Sequence, residues 1–395
     1  MNQTAMTDPQ KRALEHLENL IRIPSASGNE NALADYCFDA LEKTDFTPRR
    51  IETGDGRYTV YAEMQGAKKG KTLMFAGHID TVPVVEGWET DPFEPVRKEV
   101  KNESGVMEER LYGLGANDMK PGVALMLTLA EALTGQSEKF SGVISMAFLP
   151  DEEAYSVGAR ALIKSGVKAD FCIMAEPTYK YIYIGGPGKM LFSARTHGKA
   201  AHGARPQEGI NAIVEMGSFL ASLENIPVQN DPEMGKQSFV PFRVKGGPDH
   251  YSLSIPEECE CVVSKQLVPG EHRESIFQAL ERHVSALGLR GSMTFEIGQP
   301  YYLPYREDEH SPAFKLFETV YRQRLGRTPP YKIGSSVSDA NCLSAEAGIP
   351  VLTFGADGYG SHQKNEYMKI ESLSYVFDIY MRFTFEFLGD FSAQA

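Results

Sequence analysis

In the stretch MFAGHIDTVP, residues 74–83, His78 and Asp80 stand two apart where an apolar run ends. Residues two apart on a strand share a face. An imidazole there can grip a cation through one nitrogen while the carboxylate holds the other nitrogen in place; a solvated loop end is the plain alternative. In GLGANDMKPG, residues 113–122, Asp118 lies in a glycine-rich loop. Its two oxygens could bridge two cations, or Asn117 or Asp118 could cap the helix expected from about Pro121. Gly113 and Gly115 are not followed by the third glycine of a dinucleotide-binding fingerprint, so that chemistry is excluded.

Three more stretches carry acids and a histidine. AFLPDEEAYSVGA sets Asp151, Glu152 and Glu153 directly after an apolar run. Of such a pair as Glu152 and Glu153, one carboxylate can ligate a cation while its neighbour takes a proton from water; an exposed acid run needs no such role. Glu176 follows the run FCIMA, with Pro177 behind it, and His362 sits in the glycine-rich GADGYGSHQKNEYM. Each is ambiguous alone. Together, His78, Asp118, Glu153, Glu176 and His362 fall at the expected C-terminal ends of strands or in the loops that follow, where α/β sheets gather their ligand sites. Carboxylates with imidazoles suit zinc, with cobalt or manganese as alternatives, and a set without cysteine points to a catalytic rather than a closed structural site.

The elements that must position these residues alternate. Helical spacing appears over residues 10–22, 30–43, from Pro121, and near 156–165; buried-strand runs appear at 72–77, in SGVISMAFLP and in ADFCIMAEP. That alternation predicts an α/β layer with a mainly parallel sheet. From Lys189 the order becomes strand, helix (209–224), two strands (FVPFRVKG and CECVVSKQLVPG), helix (271–287) and strand (292–297), the β-α-β-β-α-β ferredoxin-like arrangement. Alternation then resumes, with a helix at 311–325, the strand IPVLTF and a helix from about 370. The expected layout is a catalytic α/β domain in two parts, 1–188 and 299–395, interrupted by a small domain at 189–298.

Bulk properties narrow the function. A chain of 395 residues exceeds the usual span of one core. A net charge of -13 argues against nucleic acid, which needs a basic face. No apolar run approaches the roughly 20 residues needed to span a bilayer, and the N-terminus lacks a signal-peptide pattern. Five cysteines without a Cys-x-x-Cys pair fit a reducing compartment, so a cytoplasmic location is expected.

With these motifs in view, the sequence resembles the M20 family of metallopeptidases and deacylases, which includes acetylornithine deacetylase, succinyl-diaminopimelate desuccinylase, aminoacylase-1 and glutamate carboxypeptidase. The resemblance runs in order through GHIDTVP, Trp88 with DPF at 91–93, LYGLGANDMKPG, PDEE, AEPT, GKAAHGARPQEGINAI and SHQKNEYM. It implies a zinc-binding α/β domain with a dimerising lid. It further implies one cation on His78, Asp118 and Glu176 and a second on Asp118, Glu153 and His362, with Asp80 orienting His78 and Glu152 as the base. His202 in GKAAHGARP would stabilise the oxyanion in the partner subunit's site. His16, His197, His250, His272, His283 and His310 match no ligand motif.

The sequence departs from the family's pattern at Tyr155 and Pro121, where glycines are common. In the lid segment SLSIPEECECVVSKQLVPGE it carries Leu253 in place of an asparagine and Gln266 in place of the arginine that clamps a substrate carboxylate. The expectation is a homodimeric, dinuclear hydrolase of a small amide, foremost an N-acyl amino acid. The alternatives are a dipeptidase or carboxypeptidase, a hydrolase of a non-peptide C–N bond, and a non-catalytic scaffold.

Overall fold

The computed structural model describes residues 8–178, 181–248, 250 and 252–389. Contacts divide it into two units. The larger holds the chain up to Ile184, Glu307–Lys332 and everything from Ser338; the smaller holds Gly185–Arg306 and Ile333–Val337. The divisions at 184/185 and 306/307 lie outside the 189 and 298 expected from sequence, because the first and last long strands of the smaller unit run Gly188–His197 and Ser292–Tyr302.

The larger unit is built on an eight-stranded sheet. β1 (Thr47–Glu52) and β2 (Tyr58–Gln65) form its antiparallel edge, followed by β4 (Ser141–Leu149), β3 (Lys68–His78), β5 (Phe171–Met174) and the strand Val351–Thr353, all four parallel. β3 starts with exposed lysines and continues through Leu73–Ala76, which are fully buried. Parallel neighbours on both sides hide both of its faces, so the apolar run is continuous rather than alternating.

Helices cover the sheet. α1 (Asp8–Arg22) and α3 (Lys120–Leu133) pack together, and every residue of α3 from Lys120 to Ala130 is buried. A helix apolar on all sides must be enclosed. Lys120 offsets part of the cost of a buried amine by donating to the carbonyls of Leu20 (2.9 Å) and Ile23 (3.0 Å) at the end of α1. Gly122 lets the first turn of α3 approach β5. A Cβ there would meet the Ala175 carbonyl oxygen at 2.1 Å.

On the same face, and in contact with both of these helices, Tyr380 of the helix Glu371–Leu388 packs its ring 5.0 Å from Phe75. Truncating Phe75 to alanine would cost about 3–5 kcal/mol through the cavity left behind. The insert leaves and rejoins the larger unit at one spot, where the N–H of Glu307 donates to the carbonyl of Ile184 at 2.8 Å.

The smaller unit follows the order β6 (Gly188–His197), α5 (Ala212–Ser222), β7 (Phe239–Gly246), β8 (Glu258–Leu267), α6 (Arg273–Leu287), β9 (Ser292–Tyr302). The strands lie antiparallel in the spatial order β7-β8-β6-β9, the ferredoxin-like arrangement. One face of this sheet buries Met190, Phe192, Cys261 and Val263 against Met216, Phe219, Ile276 and Leu280 of the helices. Pro241 is accommodated because β7 is an edge strand. No helix among the described residues is long and apolar enough to cross a membrane.

Candidate metal centre

β3, β4, β5 and Val351–Thr353 are adjacent and parallel, so their C-terminal ends open on one edge of the sheet. His78 ends β3, the three acids follow β4, and Glu176 follows β5. Two imidazoles and four carboxylates meet there. His78 Nε2 lies 3.1 Å from Asp118 Oδ1 and 3.5 Å from Glu176 Oε1. His362 Nε2 lies 2.9 Å from Glu153 Oε1 and 3.6 Å from Asp118 Oδ2. Asp118 thus turns one oxygen to each histidine. Ligand atoms of His78, Glu152 and Glu176 also lie within 4.8 Å of one another.

The three consecutive acids have three different fates. Asp151 accepts from Arg57 Nη1 at 2.7 Å, and the same nitrogen binds Glu30 at 2.8 Å, so Asp151 anchors the loop. Glu152 joins the buried cluster with His78 and Glu176, while Glu153 reaches His362. The backbone of the last two is held by Asp80, whose carboxylate accepts from the N–H groups of Glu152 (3.0 Å) and Glu153 (3.1 Å) and from the Ser27 hydroxyl (2.7 Å). His78 Nδ1 is closest to Asp80's own main-chain oxygen, at 3.0 Å, with the carboxylate at 3.5 Å. Asp80 therefore steers His78 and the Glu152–Glu153 loop together, a wider role than its spacing suggested.

A residue not singled out from sequence completes the frame. Glu366 is buried, and its carboxylate accepts the N–H groups of Gly115 (3.1 Å), Asn117 (2.8 Å) and Asp118 (2.8 Å). It sits four residues beyond His362, in a segment whose strand Tyr367–Lys369 pairs with Met107–Tyr112. The segment that carries His362 is thereby tied to the loop that carries Asp118. His362 itself has φ +63°, a left-handed conformation uncommon for a side-chain-bearing residue, and such residues concentrate at functional sites. The only local hint in the sequence was an acid close behind a candidate ligand.

The electrostatics show unbalanced negative charge. Burial, then Glu176, Asp339 and Glu153, pushes the Glu152 carboxyl well above the usual range against the pull of His78. Burial with the charges of Asp118 and Glu153 does the same to Glu176. Burial also works against ionised Asp118, but His78 and His362 outweigh it and hold that carboxyl low. His78 loses to burial and regains more from Glu176, Asp118 and Asp80, so it is raised. Divalent cations held by this oxygen and imidazole set would remove the excess charge, and the donor chemistry fits them.

Residues 74–386 match the model for Peptidase family M20/M25/M40. The chain belongs to this family. Among its relatives, a succinyl-diaminopimelate desuccinylase of Methylobacterium radiotolerans is 27% identical over 387 residues, covering 94% of this chain and 95% of that one. The aminopeptidase PepT of Bacillus cereus shares the fold at a TM-score of 0.75 and 19% identity, covering 95% and 98% of the two chains. The YXEP protein of Bacillus subtilis, a dinuclear metal-binding peptidase, does so at 0.72 and 17%, covering 96% and 98%. As an M20 chain the protein is a metal-dependent hydrolase.

Other residues marked by the M20 resemblance lie in the smaller unit. His202 is exposed, and its Nδ1 accepts the N–H of Ala204 at 3.1 Å, which leaves Nε2 to carry the proton in the neutral ring. Leu253 is exposed, and Gln266 Nε2 donates to the carbonyl of Ser335 at 3.0 Å. Tyr155 in the acid loop is also exposed. His16 and His283 serve packing, bonded to Tyr36 (2.9 Å) and Ser222 (2.8 Å).

Proposed function

We propose that this M20 chain hydrolyses the amide bond of an N-acyl amino acid with two divalent cations, zinc foremost and cobalt or manganese as alternatives. One cation would be held by His78, Asp118 and Glu176, the other by Asp118, Glu153 and His362. The observation that carries this is Asp118, whose two oxygens face His78 at 3.1 Å and His362 at 3.6 Å, as a bridging carboxylate must. When bound, such ions polarise the scissile carbonyl and make water acidic enough to be a nucleophile near neutral pH.

Glu152 takes the proton from the attacking water and delivers it to the leaving nitrogen. Asp80 keeps Glu152 and His78 in register. His202, with Nε2 free to donate, stabilises the oxyanion at the active site of a second subunit in a homodimer formed through the smaller unit. Five buried, unpaired cysteines support a cytoplasmic setting.

Metal analysis combined with a hydrolysis panel tests the assignment. N-acyl amino acids, dipeptides with free N-termini and uncharged amides are compared. Two cations per chain and a preference for the acyl amino acids are expected, whereas faster cleavage of dipeptides would assign the chain as a dipeptidase.

A further inference from the structure

We infer that the smaller unit carries an anion subsite charged by Lys189, which receives a substrate carboxylate in place of the arginine absent at position 266. The inference rests on the hydrolytic role above. Lys189 on β6 and Gln266 on β8 are direct cross-strand partners. Opposed residues in an antiparallel pair place their side chains on the same face, with Cβ atoms about 4.5–5.5 Å apart. Their neighbours Met190 and Leu267 are buried toward the helices, so Lys189 and Gln266 look out from the open face.

A cleft of about 290 Å³ lies on that face, lined by Lys189, Gln266, Ser264, Phe242 and Ser336 among others. Gln266 is not free to take over an arginine's work. It is neutral, and its amide donates to the Ser335 carbonyl at 3.0 Å, which fastens the Ile333–Val337 segment to the sheet. Lys189 forms no ion pair with any described residue. Other cations of this sheet are matched: Arg195 with Glu260 at 2.5 Å, Arg243 with Glu260 at 3.5 Å and Lys265 with Glu271 at 2.8 Å.

A half-buried lysine without an ion pair among the described residues, lining one cleft with Ser264 and Ser336, can receive a carboxylate. Exposed Phe242 and Val240 add an apolar wall, so the ligand is a small organic anion with an apolar portion. A lysine is a point charge where an arginine is a planar fork, and it holds the anion without fixing its plane.

The test compares an N-acyl amino acid with its C-terminal carboxamide twin in wild type, Lys189→Gln and Lys189→Arg. Lys189→Gln should raise KM for the acid on the order of ten- to a hundred-fold, the range of a lost charge-assisted hydrogen bond, with kcat and the twin little changed. Lys189→Arg should restore most of the loss. Equal effects on both substrates, or none, overturn the subsite.

A second readout does not depend on turnover. The lysines of the full chain are methylated with a carbon-13 label, which keeps their charge, and the signal missing from Lys189→Gln is assigned to Lys189. A saturable shift of that signal with succinate supports the subsite even if no amide is cleaved, in which case the hydrolytic role is what fails. A signal indifferent to succinate overturns the subsite whatever the kinetics of wild type.

Discussion

Asp80 accepts the backbone N–H of Glu152 at 3.0 Å while its main-chain oxygen meets His78 Nδ1 at 3.0 Å, so one residue sets both the His78 imidazole and the proposed base. Removing the carboxylate leaves two N–H groups and the Ser27 hydroxyl without their acceptor. We expect Asp80→Ala to lower metal affinity or kcat/KM by about 10- to 100-fold, with Asp80→Asn milder, as measured by metal titration and steady-state kinetics. Wild-type values in both variants would show that the loop holds itself.

Glu152 and Glu153 are neighbours with separate tasks in the proposed mechanism, and a pair of amide substitutions separates them. Glu152→Gln should cut kcat by roughly 10²–10⁴ with two cations still bound, the loss usual for a proton-transfer group. Glu153→Gln should instead weaken binding of the cation shared with His362. Metal content below two per chain in Glu152→Gln would make Glu152 a ligand, which its closeness to His78 and Glu176 allows.

Glu366 draws three backbone N–H groups of the Asp118 loop onto a buried carboxylate, whose pKa rises to about 7 through burial and the charge of Asp118. In Glu366→Ala those donors are orphaned at a cost of about 1–3 kcal/mol each, softened where water enters. The expected result is a lower unfolding midpoint together with weaker metal binding. Glu366→Gln, which keeps an acceptor of the same shape, should recover much of both; equal losses in the two variants would mean that the charge matters more than the acceptor.

Lys120 links stability to pH. Burial lowers its pKa from 10.5 to about 7, and unfolding restores the higher value. Between these values the unfolded chain binds more protons, so stability rises with pH across that window; below about 7 both states carry the proton and the cost of the buried charge is fully present. Lys120→Met should flatten the rise, even though it loses the bonds to Leu20 and Ile23. Urea midpoints from pH 7 to pH 9.5, taken for both proteins, check the slopes.

The residues that the structure gathers at this sheet edge were legible in the sequence because they follow strongly apolar strands or sit among glycines, and strand ends in such a sheet converge. His78 after LMFAG and Glu176 after FCIMA are of this kind. The strands TPRRIE, VRKEVK and MEERLY were not legible, since each carries adjacent charged residues and lacks an apolar run. Local spacing alone did not divide Asp151, Glu152 and Glu153, whose roles came from the M20 resemblance. Their separation depends on Arg57, nearly a hundred positions earlier, which claims Asp151 alone. Glu366 was hidden for the same reason, because its partners are backbone groups some 250 positions away.

The hydrogen bond between Glu307 and Ile184 has an architectural consequence. The points where the polypeptide departs from and returns to the α/β core are close enough for a turn of a few residues to join them. A gene cut at these positions and closed with a short glycine-rich bridge would encode the core with only the Ile333–Val337 strip of the smaller unit left on it.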